Sequence, residues 1–177
     1  MNNVNWNGLM RVLEIYHADS KGNILWEQSN IGNMLHNSGE QFLLNALFSG
    51  GPTNTFIPNF YFLGLDNRVA ISAGDIMAGL VGEPTTNGYT RQPVSSTTGF
   101  QIATGPNDNY RATSPIVTFR ATGGSWGPVQ NIFLTDKQDL TGYLIASANL
   151  GSPFTMADGD TVSLRLGLTL RDCQPTT

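Results

Sequence analysis

Ser125 lies in the stretch GGSWGPV, Gly123 to Val129, where Gly123-Gly124-Ser125-Trp126-Gly127 satisfies the G-x-S-x-G spacing of a hydrolase nucleophile elbow. That chemistry needs a strand, a strained turn and a helix, with an acid and a histidine following in chain order. Here Pro128 and the β-like run VQNIFLTD follow the serine, and both histidines, His17 and His36, precede it. Ser125 is therefore read as a turn residue, and no enzymatic activity is expected. His17, His36 and the single cysteine, Cys173, are too far apart in sequence for zinc-ligand spacing, and the two histidines are expected as partly exposed structural residues. GPNDNY around Asp108 and ADGDT around Asp158 and Asp160 are oxygen-rich, but they lack EF-hand spacing and read as Asx turns. Glu83 and Asp136 are acidic candidates that no spacing brings together, so a glycosidase pair has no support. No metal and no cofactor are expected.

The elements that position these residues follow from pattern. LMRVLEIYHADSKGNILWEQSN reads as a hairpin: Met10, Val12 and Glu14 alternate with Leu9, Arg11, Leu13 and Ile15, and Asp19 to Gly22 supply the turn. In NSGEQFLLNALF the period changes. Phe42, Leu43, Ala46 and Leu47 fall at helical spacing, Ser38 and Gln41 form a capping-box pair, and Gly50, Gly51 and Pro52 end the helix. FYFLGL, from Phe60, suits a buried strand, and SAGDIMAGL after Ser72 a short helix or helical turn weakened by its glycines.

After Pro84 the chain reads as β throughout. Its clearest segment is DTVSLRLGLTLRD, where Val162, Leu164, Leu166, Leu168 and Leu170 alternate with polar or small residues as in a half-buried antiparallel strand. Ser95 to Ser114 is the longest polar stretch, an exposed connection with a short strand near Phe100 to Ala103. Tyr89, Phe119, Trp126 and Phe133 fall in or beside strands and are assigned to the sandwich core. Trp6, with Asn7, belongs to an Asn-rich arm too short to bury a tryptophan by itself, so both are candidates for docking, either on the chain's own domain or on a neighbouring subunit.

A chain of 177 residues allows one domain with a real core, and its 20 glycines and 9 prolines, spread along the chain, suit many turns between short strands. Only 12% of residues are charged, against about 25% in typical domains, and the formal net charge is -4. Nucleic-acid binding, which needs clustered Lys and Arg, is not expected. One cysteine forms no internal disulfide framework. There is no apolar run of membrane-spanning length, and MNNVNWNG lacks the basic and apolar regions of a signal peptide, so the chain is expected to stay in the cytoplasm where it is made unless another route or cell lysis releases it.

The succession GNILWEQSNIGNMLHNSGEQFLLNALF, FYFLGLDN, EPTTNGYTRQPV, VTFRATGGSWGPVQNIFLTD and GYLIASANLGSPFTMADGDTVSLRLGLTL resembles small β-sandwich virion proteins of tailed bacteriophages. These are the tail-fibre-like or minor structural proteins and the head-decoration, or cement, proteins. The resemblance covers most of the chain. Its most specific parts are Glu83 to Arg91, ending in Gly88-Tyr89-Thr90-Arg91, Phe119 to Val129 with Trp126, and the Gly159-Asp160 turn. It implies a structural role for Glu83, Gly88, Tyr89, Arg91 and Trp126 and carries over no catalytic residue. Arg91 is expected to pair with Glu83 across its loop.

The fold expected is all-β, an antiparallel β-sandwich of jelly-roll or Greek-key type with one short helix near 38–49. Residues 1–8 are expected as an N-terminal arm, 9–172 as the single domain and 173–177 as a C-terminal tail. Without a shaft, coiled coil or fibre repeat, the size favours a capsid decoration protein bound to the major capsid protein on the head exterior. A homo-oligomer, with a trimer as the specific guess, suits such a role. The alternatives are a tail protein, as a short fibre, fibre adaptor or tail-tip subunit, and a carbohydrate-binding receptor module in which exposed Tyr110 stacks on sugars.

Overall fold

The computed structural model of the protein describes residues 6–49, 56–104 and 110–172, with side chains from Met10 to Thr169 within them. In chain order the elements are β1 (Trp6–Ala18), β2 (Ile24–Gly32), β3 (Met34–Leu35), α1 (Asn37–Phe48), β4 (Phe60–Asp66), β5 (Gln92–Ser95), β6 (Gln101–Thr104), β7 (Tyr110–Thr113), β8 (Val117–Arg120), β9 (Trp126–Thr135), β10 (Leu144–Met156) and β11 (Thr161–Asp172). They form two antiparallel sheets. One has the order β2-β1-β11-β7-β6 with β8 also paired to β11, and the other β3-β10-β9-β4-β5. The all-β sandwich with a single helix is as the sequence leads one to expect. β1 starts at Trp6, opposite Asp172 of β11, so residues 6–8, expected in an arm, lie on the backbone ladder. Residues 1–5 and 173–177 lie outside the described residues.

The inner faces of the two sheets supply one core. Val162, Leu164 and Leu166 of β11 meet Leu63 and Leu65 of β4, Ile132 and Leu134 of β9, and Ala146, Ala148 and Leu150 of β10. Each large aliphatic buried there contributes roughly 1.5–3 kcal/mol. Strand β1 departs from strict alternation. Met10 and Val12 face the core, but so does Ile15, because the register against β11 shifts between Val12 and Glu14. One extra residue in the strand turns the following side chains over, so Glu14 lies opposite Arg165 and is ion-paired with it at 3.2 Å.

Helix α1 covers one end of the core by burying Phe42 against the rings of Tyr61 and Tyr143. The expected capping box is not formed: His36 is the N-cap, and Ser38 Oγ donates to the carbonyl of Leu144 at 2.7 Å. The helix begins directly against β10, so a strand carbonyl captures the hydroxyl that would otherwise bond the helix's own amides. Gly39 is required by the same approach, since a Cβ there would collide with the Ile145 carbonyl oxygen of the backbone.

A third layer covers the outer face of the second sheet. Ile71, Met77 and Leu80, from the connection after β4, pack with Phe133 and Leu144 into a second cluster. Phe133, expected in the inter-sheet core, thus lies on the opposite face from Ile132 and Leu134 and its ring crosses over Gly64. The helical turn expected after Ser72 is a single 3-10 turn, Met77–Gly79.

Both histidines are buried, contrary to their expected partial exposure. His17 Nε2 meets Asp160 Oδ2 at 2.9 Å beside the Phe154 ring, and His36 Nε2 meets Ser147 Oγ at 2.8 Å. Burial lowers the pKa of His36 from its ordinary 6.5, against smaller opposing effects from the Ala73 and Ser72 backbone and Asp75. The unfolded chain therefore takes up this proton first. The stabilisation is complete above about pH 6.5 and declines as pH falls below it. Denaturant midpoints measured from pH 7.5 down to 5 should fall, and His36→Asn should flatten the part of that slope due to this residue.

Candidate functional site

Ser125 is exposed in the turn that delivers the chain from β8 to β9, and its hydroxyl makes no hydrogen bond among the described residues. What the turn uses is its backbone: the Ser125 carbonyl accepts from Asn87 Nδ2 at 2.6 Å, and Gly123 N–H donates to Asp158 Oδ1 at 2.8 Å. Gly124 adopts φ +150°, and a Cβ there would fall on the Asn87 side chain at 2.9 Å. A strand follows, not a helix, and each histidine is engaged elsewhere, with Asp160 and with Ser147. Ser125→Ala should leave unfolding free energy within about 0.5 kcal/mol of the parent in urea denaturation.

Trp126, next in the chain, turns inward. Its Nε1 donates to the Asn87 carbonyl at 3.2 Å, and its ring meets Tyr89 edge-on at 5.6 Å. Tyr89 also stacks with Phe119 at 6.0 Å. The oxygen-rich ADGDT turn is used by the fold in the same way. Asp158 holds Gly123, and Asp160 Oδ2 accepts both the Ala157 amide at 2.9 Å and the His17 ring nitrogen. Asp108 lies outside the described residues. Among the described residues no group of three or more His, Cys, Asp and Glu side chains is placed to hold a metal ion.

The loop Glu83 to Arg91 folds back on itself around a buried ion pair. Arg91 Nε and Nη2 donate to Glu83 Oε1 and Oε2 at 2.8 and 2.6 Å, the bidentate geometry of a guanidinium fork on a carboxylate. Tyr89 Oη donates to Glu83 Oε1 at 2.8 Å and accepts from the Leu65 amide at 2.8 Å. Burial, and then the Glu83 charge, push the Tyr89 phenol well above its ordinary value, so it remains a neutral donor. Asn87 at φ 57° and Gly88 at φ 78° make the reversal that returns Tyr89 and Arg91 to Glu83. The pairing read from the sequence is present, and it reaches further than the loop. Arg91 Nη1 donates to the carbonyls of Lys137 and Asp139 at 3.1 and 2.7 Å, and its guanidinium lies over the Phe133 ring at 5.3 Å.

Arg91 thereby fixes the turn that follows β9. Gln138 and Asp139 of this turn line two neighbouring clefts, both shallow and wide open to solvent, each of about 610 Å³. One cleft contains Glu83, Tyr89 and Arg91 in its wall. The other has Phe60 and Phe62 of β4 on one side and Asp136, Lys137 and Gln138 on the other. Asp136 does not approach Glu83 as a catalytic pair: its Oδ1 accepts the Tyr143 amide at 2.6 Å, while Glu83 is committed to Arg91 and Tyr89. Sequence reading missed the second cleft. Its one local trace is FYFLGLD, apolar on both faces, where a half-buried strand would show a polar outer face.

The other sequence candidates lie apart from these clefts. Tyr110 begins β7 and is 70% exposed, on the other sheet, and it lines neither of them. Trp6 and Asn7 occupy the first positions of β1, and their side chains lie outside the described residues. No described helix is long and apolar enough to cross a membrane. A family model described as Podophage GP4 fiber I protein gp80 matches residues 34–170, from β3 almost to the end of β11. No curated protein matches the chain.

Proposed function

Because the chain belongs to the Podophage GP4 fiber I protein gp80 family, phage fibre-type structural proteins, we propose that it is a tail subunit, either a short fibre or a fibre adaptor, working through protein contacts and without catalysis. The family match carries this reading, since it spans most of both sheets and its description is that of a fibre protein. It favours the tail over the head-exterior decoration role suggested by chain size. The polar groups of the Glu83, Tyr89 and Arg91 network bond one another and the backbone, which suits a rigid scaffold. Contact surface is available on α1, where Leu44, Leu47 and Phe48 are exposed at i, i+3 and i+4.

Purified virions decide the placement. Copy number by mass spectrometry relative to the major capsid protein, with immunogold labelling, should give a few copies located at the tail. Near-stoichiometric abundance on the head would replace the tail reading with capsid decoration, and absence from the particle would overturn both. The mass of the recombinant protein in solution tests the trimer.

A further inference from the structure

The cleft between Phe60 and the Asp136–Gln138 turn has the chemistry of a sugar site, and we infer that it binds a neutral, hydroxyl-rich oligosaccharide. Phe60 is 48% exposed at its rim, an apolar ring held on a strand and open to one side. Phe62, two residues along β4, lies on the same face and continues the apolar wall. A wall of this kind suits the C–H face of a pyranose ring, while the polar side of the cleft suits its hydroxyls.

The polar side is varied and open to bonding. Asn59 and Gln138 are exposed amides that both donate and accept, and neither side chain has a protein partner among the described residues. Asp136 gives one carboxylate oxygen to the Tyr143 amide, and Asp139 gives Oδ1 to both the Thr141 amide and hydroxyl. Each keeps its second oxygen for a hydroxyl donor. The walls are held in place: Arg91 bonds the Lys137 and Asp139 carbonyls, and the Asn59 carbonyl accepts the Ser96 amide at 3.0 Å. Preorganised groups lose less entropy when they bind.

Charge selects the class of sugar. Two carboxylates face the cleft, and its one cation, Lys137 Nζ, is held by Thr141 Oγ1 at 3.3 Å. A sialylated, sulfated or phosphorylated glycan would meet net repulsion here, whereas a neutral one meets donors and acceptors only. The neighbouring cleft is the weaker candidate, because the polar atoms of Glu83, Tyr89 and Arg91 in its wall are already paired with one another and with the backbone. The inference rests on the tail-fibre reading only for where such a sugar would be met, and the virion experiment tests that placement separately.

The test is binding of the full-length recombinant protein to immobilised neutral hexose and N-acetylhexosamine oligosaccharides, beside sialylated and heparin-type sulfated ones. Binding to at least one neutral oligosaccharide is expected, unchanged by raised salt. Phe60→Ala should weaken it by about tenfold or more, the loss typical of a central contact residue. Gln138→Ala should weaken it less, and Tyr110→Ala, on the other sheet, should leave it unchanged. Gln138 is exposed and Phe60 half-exposed, so both variants should stay folded, with an unchanged midpoint for Gln138→Ala and a modestly lower one for Phe60→Ala. No neutral binding, a preference for the anionic sugars, or full binding by folded Phe60→Ala and Gln138→Ala variants would each overturn the site.

Discussion

Arg91→Ala is expected to lower the unfolding free energy by about 3–5 kcal/mol, the cost of removing one partner from a buried ion pair. Arg91 is only 6% exposed, and its loss leaves Glu83 with the Tyr89 hydroxyl as its remaining partner among the described residues. The same change strips the Lys137 and Asp139 carbonyls of their donor and removes the cation over Phe133. Urea denaturation gives the magnitude, and faster amide exchange at Thr141 and Tyr143 would report loosening of the turn. The double variant Glu83→Gln with Arg91→Met should recover only the part due to the unpaired Glu83 charge, because methionine keeps the volume but restores neither the donors to Lys137 and Asp139 nor the cation over Phe133. A loss below about 1 kcal/mol for Arg91→Ala would show that the turn is fixed by other contacts.

Trp126→Ala should cost a comparable 3–5 kcal/mol or so, since it deletes a large side chain that is 6% exposed at the meeting of three loops. Its ring fills the space beside Tyr89, and its Nε1 ties β9 to the Asn87 carbonyl, which also accepts the Thr122 amide. Trp126→Phe separates the two contributions. It keeps an aromatic edge for Tyr89 but loses the Nε1 hydrogen bond, for an expected loss of about 1 kcal/mol from that bond and a smaller total than for alanine. Equal losses for the two variants would mean that the hydrogen bond, not the packing, is what the tryptophan contributes.

Those two residues were visible in the sequence for different reasons. The Glu83 and Arg91 pairing could be read because Asn87-Gly88 is turn chemistry, so residues on either side are brought back toward each other locally. Trp126 reads as a core residue after a glycine turn, and in the structure it is buried at the start of β9. The capping-box expectation at Ser38 failed for the complementary reason: its partner is the Leu144 carbonyl, 106 positions away, and no local pattern contains that distance.

The sequence by itself determined the β class, one helix near 38–49, observed at Asn37–Phe48, and the core face of β11, because alternation of period two and helical spacing are properties of neighbouring residues. It also identified the turns, which depend on local backbone conformation. Only the tertiary structure decided which faces are buried twice. The segment after β4 folds over the second sheet, so Phe133 is enclosed there with Ile71, Met77 and Leu80 and not in the core between the sheets, where the sequence places it. The shift between Val12 and Glu14 was decided by pairing with β11, which a single strand does not encode. The Phe60 cleft arises in the same way, from β4 and the turn after β9 meeting across a distance set by strand order. Long-range pairing places side chains that share no local period, and the candidate site is built from them.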